Sequence, residues 1–246
     1  MSKKSAERSR SERAAAAMAA QRRSERRRQF LVVGAVVVAL MAVVGIGYAA
    51  SSSRDTTGDT PSATPAGVTD GYSVVVGEES APTTITVYED LQCPVCQAYE
   101  ATTGDAVAKA VEAGKVKVEY RPLAFLDDAS STDYSSRALN ALMVVLDENG
   151  QDAFEAYHRL LFEKQPAEGS AGLTDDQLVK YAVQAGADED AVRGPIVDRR
   201  FHQWVVNATD QMSKDGVTGT PTVLIDGKSA GSTPQESAQA VLDAVG

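Results

Sequence analysis

Cysteine and histidine are both scarce in this chain of 246 residues, which has two of each. Two thiols cannot build a disulfide-dense scaffold or a four-thiolate zinc site, and two imidazoles add little, so a stapled mini-fold and structural zinc are excluded. Motifs for a serine or threonine nucleophile are missing too, which sets a hydrolase aside. What is present, 43% hydrophobic residues and 24% charged, is a globular composition rather than a disordered or fibrous one. At roughly 100 to 200 residues per domain, the length allows one good-sized domain with appendages or two small ones.

Acidic residues are nearly absent from the first 29 positions, where Lys3, Lys4, Arg8, Arg10, Arg13, Arg22, Arg23, Arg26, Arg27 and Arg28 face only Glu7, Glu12 and Glu25. That head carries +7, the stretch Phe30 to Ala50 carries nothing, and the remainder must supply −17 of the net −10. The 21 uncharged residues of FLVVGAVVVALMAVVGIGYAA would span roughly 30 Å as a helix, the thickness of a hydrocarbon core. They predict a single transmembrane helix over 30–50, with the basic segment 1–29 cytoplasmic and the rest outside the cytoplasm. A cleaved signal peptide competes, but the apolar run exceeds the usual length and Tyr48-Ala49-Ala50-Ser51 is only a fair cleavage site. Arg27-Arg28-Gln29-Phe30-Leu31 also resembles a twin-arginine export signal, with Arg26 where serine or threonine is usual. A basic head without interleaved aromatics, beside a membrane span, points to anionic lipid and away from nucleic acid.

Residues 51–71, SSSRDTTGDTPSATPAGVTDG, are rich in Ser, Thr, Gly, Pro and Asp and read as a flexible tether with an end-to-end distance of roughly 25 Å. From Tyr72 to Gly246 the pattern alternates. Strands are predicted over 72–76, 83–88 and 116–120, separated by a helix from about Val95 to Gly114 with a bend at Gly104. An all-helical stretch follows, over 134–146, 153–162, 174–185 and 196–212. A short strand at 222–225, an Asp226-Gly227 turn and a helix over 233–245 close the chain.

Chemistry concentrates at Cys93-Pro94-Val95-Cys96, where the strand TTITVY hands over to a helix. Pro94 falls at the first helical position, where its missing N–H is not needed and its fixed φ suits the helix. Cys93 then caps the helix, with its sulfur facing free backbone N–H groups and the positive dipole end, which favours thiolate over thiol. Cys96, one turn on, is within bonding reach and more buried. The pair is asymmetric: Cys93 attacks or is attacked, and Cys96 resolves the mixed disulfide. Two other readings exist. A metal site needs further ligands, and His158 and His202 lie in predicted helices with no ligand spacing. A structural disulfide closing so short a loop removes little unfolded-state entropy.

With these residues the chain resembles the DsbA-like thioredoxin-fold disulfide oxidoreductases of bacterial cell envelopes. The resemblance runs from about Tyr72 to Gly246 and rests on Tyr88-Glu89-Asp90-Leu91-Gln92-Cys93-Pro94-Val95-Cys96 and on Gly216-Val217-Thr218-Gly219-Thr220-Pro221-Thr222. It implies an α/β thioredoxin-like fold with a helical insertion over about 130–215. It also implies a cis proline at Pro221 facing the cysteines, and a Thr220 whose backbone meets an extended substrate by strand addition. Two departures stand out. Val95 occupies a position where well-known members carry histidine, so Cys93 is expected to be acidified less than in the strongest oxidants, whose value is about 3.5. Val87 stands where many relatives bury an acid. Glu89 and Asp90 are nearer the motif, Asp90 being expected as a loop or capping residue.

The resemblance implies thiol–disulfide exchange with no cofactor and no metal. An outward-facing oxidase would donate the Cys93–Cys96 disulfide to exported proteins with cysteines and be reoxidised by a membrane redox partner. The same residues would serve a reductase or isomerase, although no dimerisation segment is visible and a monomer is expected. A reading from another class is a tethered chaperone that grips extended segments at Thr220-Pro221 without turnover. His202 and Trp204 are expected on a helix face and in the core, and Asn207-Ala208-Thr209, a glycosylation pattern on paper, is assigned no role.

Overall fold

The computed structural model describes residues 58–69 and 71–246. The basic segment 1–29, the apolar span 30–50 and the first residues of the tether lie outside the described residues. Among the described residues, no helix is long and apolar enough to cross a membrane.

Five strands form one sheet in the order β1-β3-β2-β4-β5: β1 Val74–Val76, β2 Thr83–Asp90, β3 Val116–Leu123, β4 Thr222–Ile225 and β5 Lys228–Ser229. β2 and β3 run parallel while the other pairs are antiparallel. A parallel pair needs a crossover, and helix α1, Pro94–Glu112, supplies it. β2 is central and buried along most of its length, and its side chains alternate between the two faces. Ile85 and Val87 pack with Val107 and Ala110 of α1 and with Val241 of the last helix. Tyr88 points the other way, onto Leu123 and Met212.

Between β3 and β4 the chain leaves the sheet for α2 Tyr134–Glu163, α3 Asp175–Gln184, α4 Glu189–Val197 and α5 His202–Lys214; α6, Pro234–Val245, returns to the sheet. This is a thioredoxin-like α/β fold with a helical insertion, as expected, and the insertion packs around Leu139, Phe154, Tyr157 and Trp204 in a core it shares with Val74 and Val76 of β1 and with Cys93 and Cys96. The predicted helices 134–146 and 153–162 are both present, as two helical segments of α2 that meet at Gly150, whose φ of +79° suits a residue without Cβ. Two other local expectations are corrected. The predicted helix 196–212 is two elements, separated by a turn in which Arg199 takes φ +51°; Gly194 and Pro195 conceal the end of α4. Finally, α1 continues through Gly104 without the expected bend.

The second half of the expected tether lies on the domain. Gly58 N–H donates to Asn207 Oδ1 (3.0 Å), and Asn207 Nδ2 donates to Asp59 O (2.9 Å). Ala66 N–H donates to Asp147 Oδ1 (2.8 Å), Val68 bridges to Val74, and Ala63 packs on the insertion core. Small polar composition hid this docking, because its partners are side chains about 80 to 150 residues away in sequence.

Candidate active site

The site follows from strand register. β2 and β4 are antiparallel with Tyr88 opposite Thr222, so the residues just after β2 meet those just before β4. At this end of the sheet Cys93 caps α1 with an extended backbone (φ −76°, ψ 115°) and Pro94 opens the helix. Facing it, the Thr220–Pro221 peptide bond is cis, and the Cys93 thiol donates to Thr220 O at 3.5 Å. Cys93 N–H donates to Asp90 O, and Cys93 O accepts from Gln97 N–H, so the turn is tied to both the strand and the helix.

The two thiols are not equivalent. Cys93 keeps 6% of its surface exposed and Cys96 1%. A hydrogen bond from Cys96 is the largest influence on Cys93. It outweighs the opposing effect of burial and, with contacts to Thr220 and the N–H groups of Cys96 and Val95, pulls the thiol down to about 6. The sulfur thus sits where the free N–H groups of a helix start favour an anion. Cys96 goes the other way: burial first, then the hydrogen bond to Cys93 and the charge of Cys93, push it far above an ordinary thiol. One sulfur is a ready nucleophile and leaving group, and the other holds its proton. Val95 is exposed beside the pair, at the position where an imidazole is absent.

The site residues expected from sequence come together here: Cys93, Pro94, Val95 and Cys96 in the first turn of α1, with Thr220 and Pro221 opposite. Val87 is apolar core, as its type requires. Asp90 is a loop organiser. Its carboxylate accepts from Gln92 N–H (2.7 Å), Leu126 N–H (2.9 Å) and Ser135 Oγ (2.7 Å), joining the motif to the β3–α2 connection and to α2. Burial nonetheless raises its carboxyl to about 6 against those three bonds.

Sequence reasoning missed three participants. His158, dismissed as an ordinary helical residue, is 3% exposed and pairs with Glu89, 1% exposed, at 2.5 Å. Rings of Tyr120, Phe154 and Phe162 surround it. Burial alone would push the imidazolium down, but the charge and hydrogen bond of Glu89 overcome that and hold it at about 8. The Glu89 charge also acts on Cys96, raising it further. Gln165 donates to Cys93 O (3.1 Å), and Gln92 donates to Ala167 O and Ser170 O, so the insertion braces the motif. Two adjacent acids ending an otherwise uncharged, largely buried strand were the available signal, since a buried charge requires a partner.

A family model described as thioredoxin matches residues 69–244. Among solved structures, the chain is similar to the reduced form of the disulfide bond oxidoreductase DsbG of Mycobacterium tuberculosis. That likeness has 31% identity and a TM-score of 0.61, over 73% of this chain and 90% of that one. Reduced DsbA of the same organism is 30% identical with a TM-score of 0.60, covering 71% and 93% of the two chains. A curated relative, the serine/threonine-protein kinase PknE of M. tuberculosis, is 34% identical over 157 residues, 61% of this chain. The chain spans only 28% of that kinase's length. By the span of the family match and the two M. tuberculosis structures, the chain belongs to the thioredoxin family and, within it, to the thiol–disulfide oxidoreductases of the DsbA type.

Proposed function

We propose that this protein donates the Cys93–Cys96 disulfide to exported proteins outside the cytoplasm, held at the membrane by the helix expected over 30–50. The observation that carries this reading is the opposed acidity of the two sulfurs, Cys93 at about 6 and Cys96 far above an ordinary thiol. A substrate thiolate attacks Cys93 Sγ, the Cys93–Cys96 bond breaks, and Cys96 leaves and takes a proton. A second substrate thiolate then attacks the substrate sulfur of the mixed disulfide and expels Cys93 as thiolate. Two electrons pass from substrate to protein, and a membrane redox partner removes them. Thr220 and Pro221 receive the extended substrate beside Cys93, and Pro94 and Val95 tune the sulfur. The reaction needs no cofactor and no metal, and the unit works as a monomer.

A value of about 6 lies between that of thioredoxin, about 7, and that of DsbA, about 3.5. A stabilised thiolate favours the reduced form and so makes the disulfide oxidising. The deciding experiment is the Cys93–Cys96 reduction potential of the full chain in detergent, equilibrated against glutathione. A potential above about −200 mV supports donation to exported chains, whereas one at or below about −250 mV makes the protein a reductase.

A further inference from the structure

Beside the motif, on the flank of α1 turned toward the second half of α2, lies a cleft of about 420 Å³. Gln97, Glu100, Ala101, Gly104 and Asp105 form one wall, and Arg159, Phe162 and Glu163 form the other. Gln97 Nε2 donates to Phe162 O (2.8 Å) at the end next to the cysteines. At the rim, Arg159 pairs with Asp105 (3.4 Å) and Lys164 with Glu163 (2.6 Å), both exposed. Those charges are compensated in place.

Glu100 is not. It is partly buried, and among the described residues no hydrogen bond or ion pair ends on its carboxylate. Burial raises the carboxyl, and the charge of Glu89 adds to this while His158 and Arg159 oppose it. Its Oε1 lies over Gly104, where a Cβ would come within 2.8 Å; the missing side chain at Gly104 makes room for the carboxylate. Such a desolvated, unpaired carboxylate is costly unless a cation arrives. Ala98 and Ala101, both exposed on α1, offer apolar surface along which the stem of a long basic side chain can lie.

The geometry points to this cleft as a subsite for a lysine or arginine side chain of the polypeptide engaged at Cys93, with Glu100 as its counter-charge. This rests on thiol–disulfide exchange at Cys93. Seven residues of helix separate Cys93 from Glu100, roughly 10 Å, a distance an extended chain covers in about three residues. The cation therefore sits about three residues from the substrate cysteine. Exported segments with that spacing are preferred partners, and acidic ones are disfavoured.

The test uses the oxidised full chain in detergent and single-cysteine peptides carrying Lys, norleucine or Glu three residues to either side of the cysteine. The rate of mixed-disulfide formation is read by quenching and mass spectrometry. The expected result at low salt is a Lys-over-Glu rate ratio about fivefold larger for the wild type than for Glu100→Gln or Ala101→Lys, shrinking as salt is added. The second variant supplies the cleft with its own cation from an exposed position, so it does not depend on altering Glu100. Equal ratios in all three proteins would overturn the subsite, including a preference that persists in both variants because it belongs to the peptide thiol. Dithiothreitol separates the two levels: if it fails to reduce the wild-type disulfide, exchange at Cys93 is itself refuted and the subsite falls with it.

Discussion

His158 Nε2 lies 2.5 Å from Glu89 Oε1, with both side chains almost wholly buried, so the helical insertion and the central strand share one ion pair behind the cysteine motif. The folded pKa of His158, about 8, exceeds its ordinary 6.5. A raised histidine contributes stability that is fully present below 6.5 and is lost as pH rises through 8. We expect chemical denaturation of the oxidised protein, in which no thiol titrates, to show stability falling across that window. His158→Gln should abolish the fall and cost about 3 to 5 kcal/mol at pH 6, because it strands Glu89 without a partner. Glu89→Gln combined with it should recover part of that loss. An unchanged pH profile in His158→Gln would refute the pairing.

Cys93 is pulled to about 6 and Cys96 far upward, so only one thiol should ionise across the physiological range. Thiolate absorbance near 240 nm should titrate with a midpoint near 6 and vanish in Cys93→Ala. The depressed folded value means the thiolate stabilises the reduced fold above the ordinary thiol range, and this is lost as pH falls through 6. The reduction potential should therefore change by about 59 mV per pH unit below 6 and by about 30 mV above it, each proton being worth about 30 mV for a two-electron couple. A single slope from pH 5 to 8 would show that Cys93 is not acidified.

How legible the site was depends on the range of the interactions. The motif could be read because everything that shapes Cys93 is local: the end of a β-branched strand, a proline suited to the first turn, and free N–H groups behind it. Thr220 and Pro221 lie 127 and more residues away, and no local rule joins them to Cys93; the resemblance supplied that link, and the β2–β4 register explains it. His158 escaped because its helix looks ordinary until Glu89 is placed beneath it. The docked strap escaped for the same reason, its composition being that of a tether and its partner being Asn207. The break between α4 and α5 was hidden by Gly194 and Pro195, which discouraged reading a helix where one ends.

Asn207 holds the strap through two hydrogen bonds, to Gly58 N–H and Asp59 O. At about 1 kcal/mol each, they should hold the segment closed some thirtyfold against local opening. Asn207→Ala is expected to speed proteolytic cleavage and hydrogen exchange within 58–64 by about that factor, while exchange in β2 and α1 stays as it was. Equal protection in the variant would mean that Ala63 and Val68, packed on the domain, and the Ala66–Asp147 hydrogen bond hold the strap without Asn207.

Assigning attack to Cys93 and resolution to Cys96 rests on exposure, 6% against 1%, and on the opposite shifts of the two thiols. A substrate disulfide-linked to Cys93 is normally released by a second sulfur. Within the protein, Cys96 is the group poised to do this, and positioned intramolecular groups gain several orders of magnitude in effective concentration. Cys96→Ala should therefore accumulate mixed disulfides with disulfide-containing client proteins, whose S–S bond the Cys93 thiolate attacks with release of one client thiolate, at least about a hundredfold longer lived than in the wild type. Cys93→Ala should accumulate none, because the remaining sulfur is buried and keeps its proton. Non-reducing electrophoresis of the two variants separates the roles. If Cys93→Ala were the variant that trapped clients, Cys96 would be the attacking residue, and the asymmetry built by Pro94, the helix start and Thr220 would have to serve stability rather than exchange.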